Sequence, residues 1–256
     1  MVPTPSTPPR DMSPEPWAEY IVDGFEDAGL LGRSLLLTDR PPPDPTLSLR
    51  HWPQISTYNG AAIIAMCGEG CVAVASDLRF GVQNSTLACD FKKVFKIHDR
   101  LLLGLSGLAT DAETLHKKFT MKHNLYRLRE ERDIRPSTFA SLVSATLYEH
   151  RFGPFFCEPI VAGLEPEGTP FISGMDSLGA MEKSTDFMCA GTNTASLLGI
   201  CESMYQPGLG PEELFELVSQ CMLSGMNRDA LAGWGAVVYV ISQDKTIART
   251  LKGRMD

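Results

Sequence analysis

The sequence lacks any run that approaches the ~20 apolar residues a helix needs to cross a bilayer, so no membrane-spanning anchor is expected. It also lacks a basic excess: 23 Lys+Arg face 31 Asp+Glu, a formal net charge of −8. Nucleic acids and anionic membrane surfaces both demand a basic footprint, so neither is expected as a partner. No basic stretch followed by an apolar one opens the chain, and its early acidic residues do not suit a mitochondrial address. Cytoplasm and nucleus are the expected location, where the sequon Asn84-Ser85-Thr86 would never meet the glycosylation machinery.

No pair of cysteines has C-x-x-C spacing. The seven that are present (Cys67, Cys71, Cys89, Cys157, Cys189, Cys201 and Cys221) are odd in number, widely spaced and mostly set in apolar runs. This suits reduced core thiols better than a disulfide framework. Cys67 and Cys71 have no second pair beside them, and the five histidines are scattered, so no metal site is expected. His116 and His123 read as solvated positions on the polar side of a helix. There is no glycine-rich phosphate loop with its lysine, and Gly104-Leu105-Ser106-Gly107-Leu108 misses the G-x-S-x-G nucleophile signature at its last position. These absences exclude kinase, dinucleotide-enzyme and metalloenzyme readings, and no cofactor is expected.

What is present divides in two. Residues 1–56 hold eleven of the eighteen prolines, with four Arg against eight Asp/Glu. Such a segment cannot build a packed core and reads as an arm that is extended or disordered, or partly ordered on a partner, with Trp17, Tyr20, Ile21, Ala28 and Leu31 at roughly helical spacing inside it. Residues 57–256 read as one domain.

The domain opens on Gly60–Arg79, two apolar runs (Ala61–Cys67 and Cys71–Ala75) around a Gly68-Glu69-Gly70 turn. The pattern predicts a hairpin covered on both faces, closed by a three-residue loop. It ends in Asp77 and Arg79, opposite charges at the mouth of a buried hairpin. Two more strands are predicted at Phe91–Ile97 and Leu101–Gly104. A helix follows, with a capping box at Thr110 and Glu113 and an apolar stripe of Leu115, Phe119, Leu125 and Leu128. Pro136-Ser137 opens a second helix. Strands Ile160–Leu164, Pro170–Met175 and Phe187–Ala190 precede helices at Thr194–Tyr205 and from Pro211. Strands Ala236–Ile241 and Ile247–Leu251 complete the order, which predicts an α+β layered domain.

Read together, these residues resemble the beta subunits of the 20S proteasome, members of the N-terminal-nucleophile hydrolase family, from about Tyr58 to Asp256. In that family a Gly-Thr bond precedes the first strand, and self-cleavage exposes the threonine. Its hydroxyl is the nucleophile and its own α-amine the base, a workable pair because an α-amine titrates near ~8. The resemblance puts Gly60 before the cleavage point, Asp77 and Arg79 at the family's aspartate and arginine, Lys93 at its lysine and Gly107 at its oxyanion glycine. Arg228-Asp229-Ala230 matches a second segment, with Asp229 as its aspartate. Ala61 stands where the threonine belongs, Ala232 replaces one accessory serine, and Thr192 replaces another while keeping the hydroxyl. An alanine methyl cannot attack a carbonyl. The resemblance therefore implies vestigial site positions and no catalysis.

The likeness is greatest to a non-catalytic type of these subunits. It is carried by Tyr58-Asn59-Gly60, Arg79-Phe80-Gly81, Asp90-Phe91-Lys92-Lys93, Arg151-Phe152-Gly153-Pro154-Phe155, Glu158–Leu164 and Arg254-Met255-Asp256. It implies a four-layer αββα sandwich of two stacked antiparallel sheets between helices. It implies as partners two ring neighbours, the opposite beta ring and the alpha ring, in a particle for ubiquitin- and ATP-dependent protein degradation. Two rival readings are an active hydrolase using another nucleophile (Cys67, Ser56 or Thr57) and a free-standing binding module. Thr57 and Ser56 precede Ala61 by four and five residues, about 13–17 Å of extended chain, too far to share Lys93 without remodelling the strand.

Overall fold

The computed structural model describes residues 55–255, so nearly all of the expected arm, residues 1–56, lies outside it. Strands β1 (Ala62–Gly68) and β2 (Cys71–Asp77) form the predicted hairpin, and all seven residues of β2 are buried. Gly68 pairs with Cys71, so the loop is Glu69-Gly70 alone, one residue shorter than expected. Gly70 takes φ +61, the left-handed value a two-residue turn asks of glycine.

The hairpin is the centre of one sheet and the floor of two cores. With β10 (Phe187–Gly191), β11 (Ala236–Ile241) and β12 (Thr246–Leu251) it forms a five-stranded antiparallel sheet in the order β10-β1-β2-β11-β12. A second antiparallel sheet runs β5 (Val94–His98), β6 (Leu101–Gly107), β7 (Cys157–Leu164), β8 (Pro170–Met175) and β9 (Met181–Ser184). Because side chains alternate along a strand, Ile63, Ala65, Cys67, Val72 and Val74 face the second sheet's Val94, Leu102, Ile160, Ala162 and Ile172. Their neighbours Ala62, Ile64, Met66, Cys71, Ala73 and Ala75 face the other way, onto Leu197, Leu214, Val218 and Met222. Those four belong to α3 (Thr194–Met204) and α4 (Pro211–Met226). The outer face of the second sheet packs Leu101, Leu103, Leu105 and Val161 on α1 (Ala109–Glu130) and α2 (Pro136–Glu149). The result is helix, sheet, sheet, helix.

Three short elements were not visible in the sequence: β9, and a separate two-stranded ribbon of β3 (Phe80–Val82) and β4 (Ser85–Ala88). The predicted strand at Phe91 begins only at Val94. Six of the seven cysteines are buried thiols and Cys89 is exposed. No helix among the described residues is long and apolar enough to cross a membrane.

Helix α1 departs most from expectation. Its first turn starts at Ala109, its N-cap position Leu108 has no side-chain cap, and Glu113 pairs with Lys117 at 2.6 Å instead of closing a box with Thr110. The capping acceptor comes from fifty residues away, where Asn59 Oδ1 receives the Ala109 N–H at 2.9 Å. Leu115 and Phe119 are buried, but Leu125 and Leu128 are 56% and 80% exposed. With Met121 they leave an apolar stripe facing out. His123 is buried, stacked on His98 with ring centroids 5.4 Å apart, and His116 stacks on Phe95 at 4.1 Å; neither is the solvated position expected of it. Asn59→Ala should lower stability by about 1–3 kcal/mol, whereas Thr110→Ala should leave the melting temperature unchanged. Thermal denaturation of both variants checks this, and equal shifts would restore the local box.

Candidate functional site

Six of the eight expected site positions (Ala61, Asp77, Lys93, Gly107, Thr192 and Asp229) converge where β1 begins. Ala61 is 2% exposed, between Gly60 and the first residue of β1. Asp77 closes β2, fully buried, and its carboxylate is completely engaged. Oδ1 accepts from Lys93 Nζ at 2.6 Å and the Ala62 N–H at 3.0 Å; Oδ2 accepts from the Arg79 and Gly233 N–H groups at 3.3 Å each. Lys93 is 4% exposed, in the stretch entering β5. Burial holds its pKa below the ordinary lysine value, and the adjacent Asp77 carboxylate opposes that shift.

On the other side of Ala61 lies Thr192, just past β10. Its hydroxyl sits 2.9 Å from Asp229 Oδ2 and 3.1 Å from the Ala61 carbonyl oxygen. That carbonyl already accepts the Thr192 N–H at 2.8 Å. A hydroxyl has one proton, so Asp229 is the acceptor that orients it, leaving a lone pair for the Ala61 N–H at 3.4 Å. Asp229 also accepts the Leu231 N–H at 2.9 Å. Ala232 is buried in the core under α3 and α4.

Gly107 ends β6 at φ +106; a Cβ there would stand 2.2 Å from the Phe156 carbonyl oxygen. Gly191 and Gly60 are equally constrained, at φ +108 and +71, each with a backbone oxygen 2.1 Å from where a Cβ would go. Gly107, Gly191 and Thr192 line a cavity of about 240 Å³ with Phe156, Cys157 and Ser177.

The eighth position, Arg79, serves a different purpose. Its guanidinium bonds Thr86 Oγ1 at 2.9 Å, the Leu231 carbonyl at 2.9 Å and the Gln83 carbonyl at 2.8 Å. Gly81 leaves room for it, since a Cβ there would lie 2.5 Å from the guanidinium. Arg79 is a strut between the β3–β4 ribbon and the 231 loop. Sequence reasoning missed Gly191, Gly233 and Leu231 altogether, and no local signal marks backbone groups supplied by distant loops.

The arrangement holds a buried cation, two carboxylates and a hydroxyl around residue 61, with a glycine-lined cavity alongside. It offers no attacking atom at that residue: Ala61 has a methyl, and joined to Gly60 its nitrogen is an amide without a basic lone pair. Cys67 supplies no substitute. It lies at the far end of β1, roughly 20 Å of strand from Ala61, in the core between the sheets, where burial and then nearby Asp186 push its thiol up to about 12. Among the described residues, no group of three or more His, Cys, Asp or Glu is placed to hold a metal ion.

Comparison with known proteins gives the family. A profile described as proteasome subunit matches residues 57–241. The chain belongs to the proteasome subunit family. Proteasome subunit beta type-3 of Picea mariana is 60% identical over 202 residues, 79% of this chain and 99% of that protein. The Saccharomyces cerevisiae subunit of the same description is 50% identical over 202 residues, 78% of this chain and 98% of that protein. The Schizosaccharomyces pombe protein described as a probable beta type-3 subunit is 54% identical over 202 residues, 79% of this chain and 99% of that protein. The family expected from the motifs holds, and the type of subunit the motifs resemble most is the beta type-3 subunit. The two stacked antiparallel sheets with their flanking helices are the fold that family implies. The matches to these relatives end short of this chain's full length, by roughly the extent of the expected arm.

Proposed function

We propose that this chain is a non-catalytic, architectural subunit of the proteasome core, seated in a beta ring between two neighbours, against a second beta ring and an alpha ring. The observation that carries the reading is Ala61. A buried Lys93–Asp77 pair, the Thr192–Asp229 pair and Gly107 surround it, and it presents a methyl group where a nucleophile would be. Without a hydroxyl there is neither peptide cleavage at residue 61 nor self-release of the preceding segment, so the arm, residues 1–56, stays attached unless a neighbour's active site trims it. The apolar stripe of Met121, Leu125 and Leu128 supports a chain that meets other subunits. The particle works in cytoplasm and nucleus.

Treating assembled particles with a peptide bearing a threonine-reactive epoxyketone, then taking intact masses, tests this. This subunit should show no adduct and a mass that includes residues N-terminal to Ala61. An adduct on this chain, or a chain beginning at Ala61 in particles whose neighbours have been inactivated, would overturn the reading.

A further inference from the structure

Two histidines away from residue 61 stack on each other where β5 meets α1: His98 ends the strand and His123 lies on the helix, with centroids 5.4 Å apart. The hydrogen bonds of His98 fix its protonation state. A carbonyl oxygen only accepts, so the Nε2 placed 2.9 Å from the Ile134 oxygen carries the ring proton. The Arg100 N–H donates to Nδ1 at 3.2 Å, so that nitrogen offers a lone pair. His98 is therefore neutral as it stands, and a second proton would set Nδ1–H against the Arg100 N–H. His123 is 3% exposed, and its buried Nδ1 has no hydrogen-bond partner among the described residues. Its Nε2 lies 3.6 Å from Asp133 Oδ1. A charged His123 would bury an unpaired N–H beside the first ring.

Both rings hold the same piece of chain, residues 131–135, which joins α1 to α2. His98 ties the Ile134 carbonyl to β5, while the Ile134 side chain packs in the outer core with Leu115 and Phe139. Asp133 sits between His123 and Arg127, whose Nε is 3.8 Å from Oδ1. The other charges nearby are occupied elsewhere or face a cavity. Lys96 and Asp99 pair with each other at 2.7 Å. On the β7–β8 turn Glu165 accepts the Ser137 N–H at 3.0 Å, and Glu167 lies 3.9 Å from Arg135. Arg100 and Arg135 line, with His98 and Asp133, a cavity of about 260 Å³. Asp133 and Asp99 favour a proton on His98 and His123 opposes one; burial outweighs them and holds the His98 pKa below its ordinary 6.5. Burial does the same to His123, with Asp133 favouring the proton and Arg127 opposing it. We propose that the stacked pair is an acid-sensitive latch on the α1–α2 connection: with both rings neutral, residues 131–135 stay fastened to β5, and a proton taken up at His98 Nδ1 frees them. Once freed, the ring titrates near its ordinary value, so the opened form binds more protons than the closed one below pH 6.5. The closed form then loses ground by up to about tenfold per pH unit for each ring involved.

Hydrogen–deuterium exchange of the full-length chain in assembled particles, read peptide by peptide and corrected for the intrinsic pH dependence of exchange, tests this. Between pH 7.5 and pH 5, protection across residues 127–136 should fall at least about tenfold, while that of the β1–β2 hairpin holds. In His98→Gln the amide still has a donor for the Ile134 carbonyl and an acceptor for the Arg100 N–H but does not titrate, so the fall should shrink to less than about threefold. His116, two turns earlier on α1 and stacked on Phe95 at 4.1 Å, is the control: His116→Gln should leave the tenfold fall in place. Exchange at the imidazole C2–H, followed by mass spectrometry on the unsubstituted chain, gives each ring its own midpoint and needs no variant to fold. The His98 midpoint should coincide with the loss of protection. Unchanged protection at pH 5, an equal fall in His98→Gln, or opening at a pH where His98 is still neutral would each overturn the proposal.

Discussion

Chains carrying Asp77→Ala should fail to accumulate as folded protein under conditions where Lys93→Met chains still fold. Asp77 receives four donors from four places in the sequence: Ala62 at the head of β1, Arg79 just past β2, Lys93 before β5, and Gly233 ahead of β11. Its removal leaves a buried ammonium without its partner, which costs about 3–5 kcal/mol. It also orphans three buried N–H groups at about 1–3 kcal/mol each. Together these reach the 5–15 kcal/mol by which a whole domain is typically stable. Lys93→Met removes one donor and leaves the carboxylate three, so a loss of about 2–3 kcal/mol is expected. Soluble yield and thermal melts of the two variants separate these outcomes. Equal losses would mean that the ion pair matters and the backbone contacts do not.

The same pair gives a pH dependence. Burial lowers the Lys93 pKa in the folded chain below its ordinary 10.5, against the opposing pull of Asp77. Between those two values the unfolded chain binds more protons than the folded one, so stability rises with pH across that window and the burial cost is full below it. Lys93→Met has no such group. The wild-type chain should therefore gain on Lys93→Met as pH climbs toward 10, read as the difference between their melting temperatures.

The parts of this molecule that could be read from residues alone are those whose cause is local or whose spacing is fixed. β1 and β2 were legible because unbroken small and β-branched apolar residues suit only strands covered on both faces. α4 was legible from Pro211, Glu212 and Glu213 at its first turn. The site positions were legible only through the family resemblance, whose spacing of sixteen residues, matched from Ala61 to Asp77 and from Asp77 to Lys93, survives any uncertainty about element ends.

What could not be read has its cause elsewhere in the chain. Periodicity says that β1 has two apolar faces but not that one meets a sheet and the other helices. The cap of α1 is an asparagine from beyond another hairpin. His123 occupies a polar-looking position that becomes interior because Asp133 and His98 fold over it, with Asp133 Oδ1 3.6 Å from its Nε2. Leu125 and Leu128 carry a core pattern without a core, since a stripe shows that something is to be covered and not whether the cover lies in the same chain.

Gly191→Ala should be among the most damaging single substitutions in the chain. At φ +108 the residue occupies backbone space that side-chain-bearing residues rarely enter, and the added Cβ would lie 2.1 Å from the Ala61 carbonyl oxygen. That oxygen cannot yield, because it accepts the Thr192 N–H at 2.8 Å and belongs to the residue entering β1, whose Ala62 pairs with Gly191. Relief requires separating β10 from β1 at the point where Thr192 and Asp229 meet residue 61. A loss of about 4 kcal/mol or more is expected, in the range reserved for strain that no side chain can absorb. Gly70→Ala is the control. It also has positive φ, +61, but the nearest atom to its Cβ would be the end of the Gln243 side chain at 3.9 Å, so only the intrinsic left-handed cost of about 1–2 kcal/mol applies. If the two variants melt within about 1 kcal/mol of each other, the close approach at Gly191 is not a constraint. If they differ as expected, the glycine-lined surroundings of Ala61 are a requirement of how β10 and β1 join, and a chain with no nucleophile still needs them.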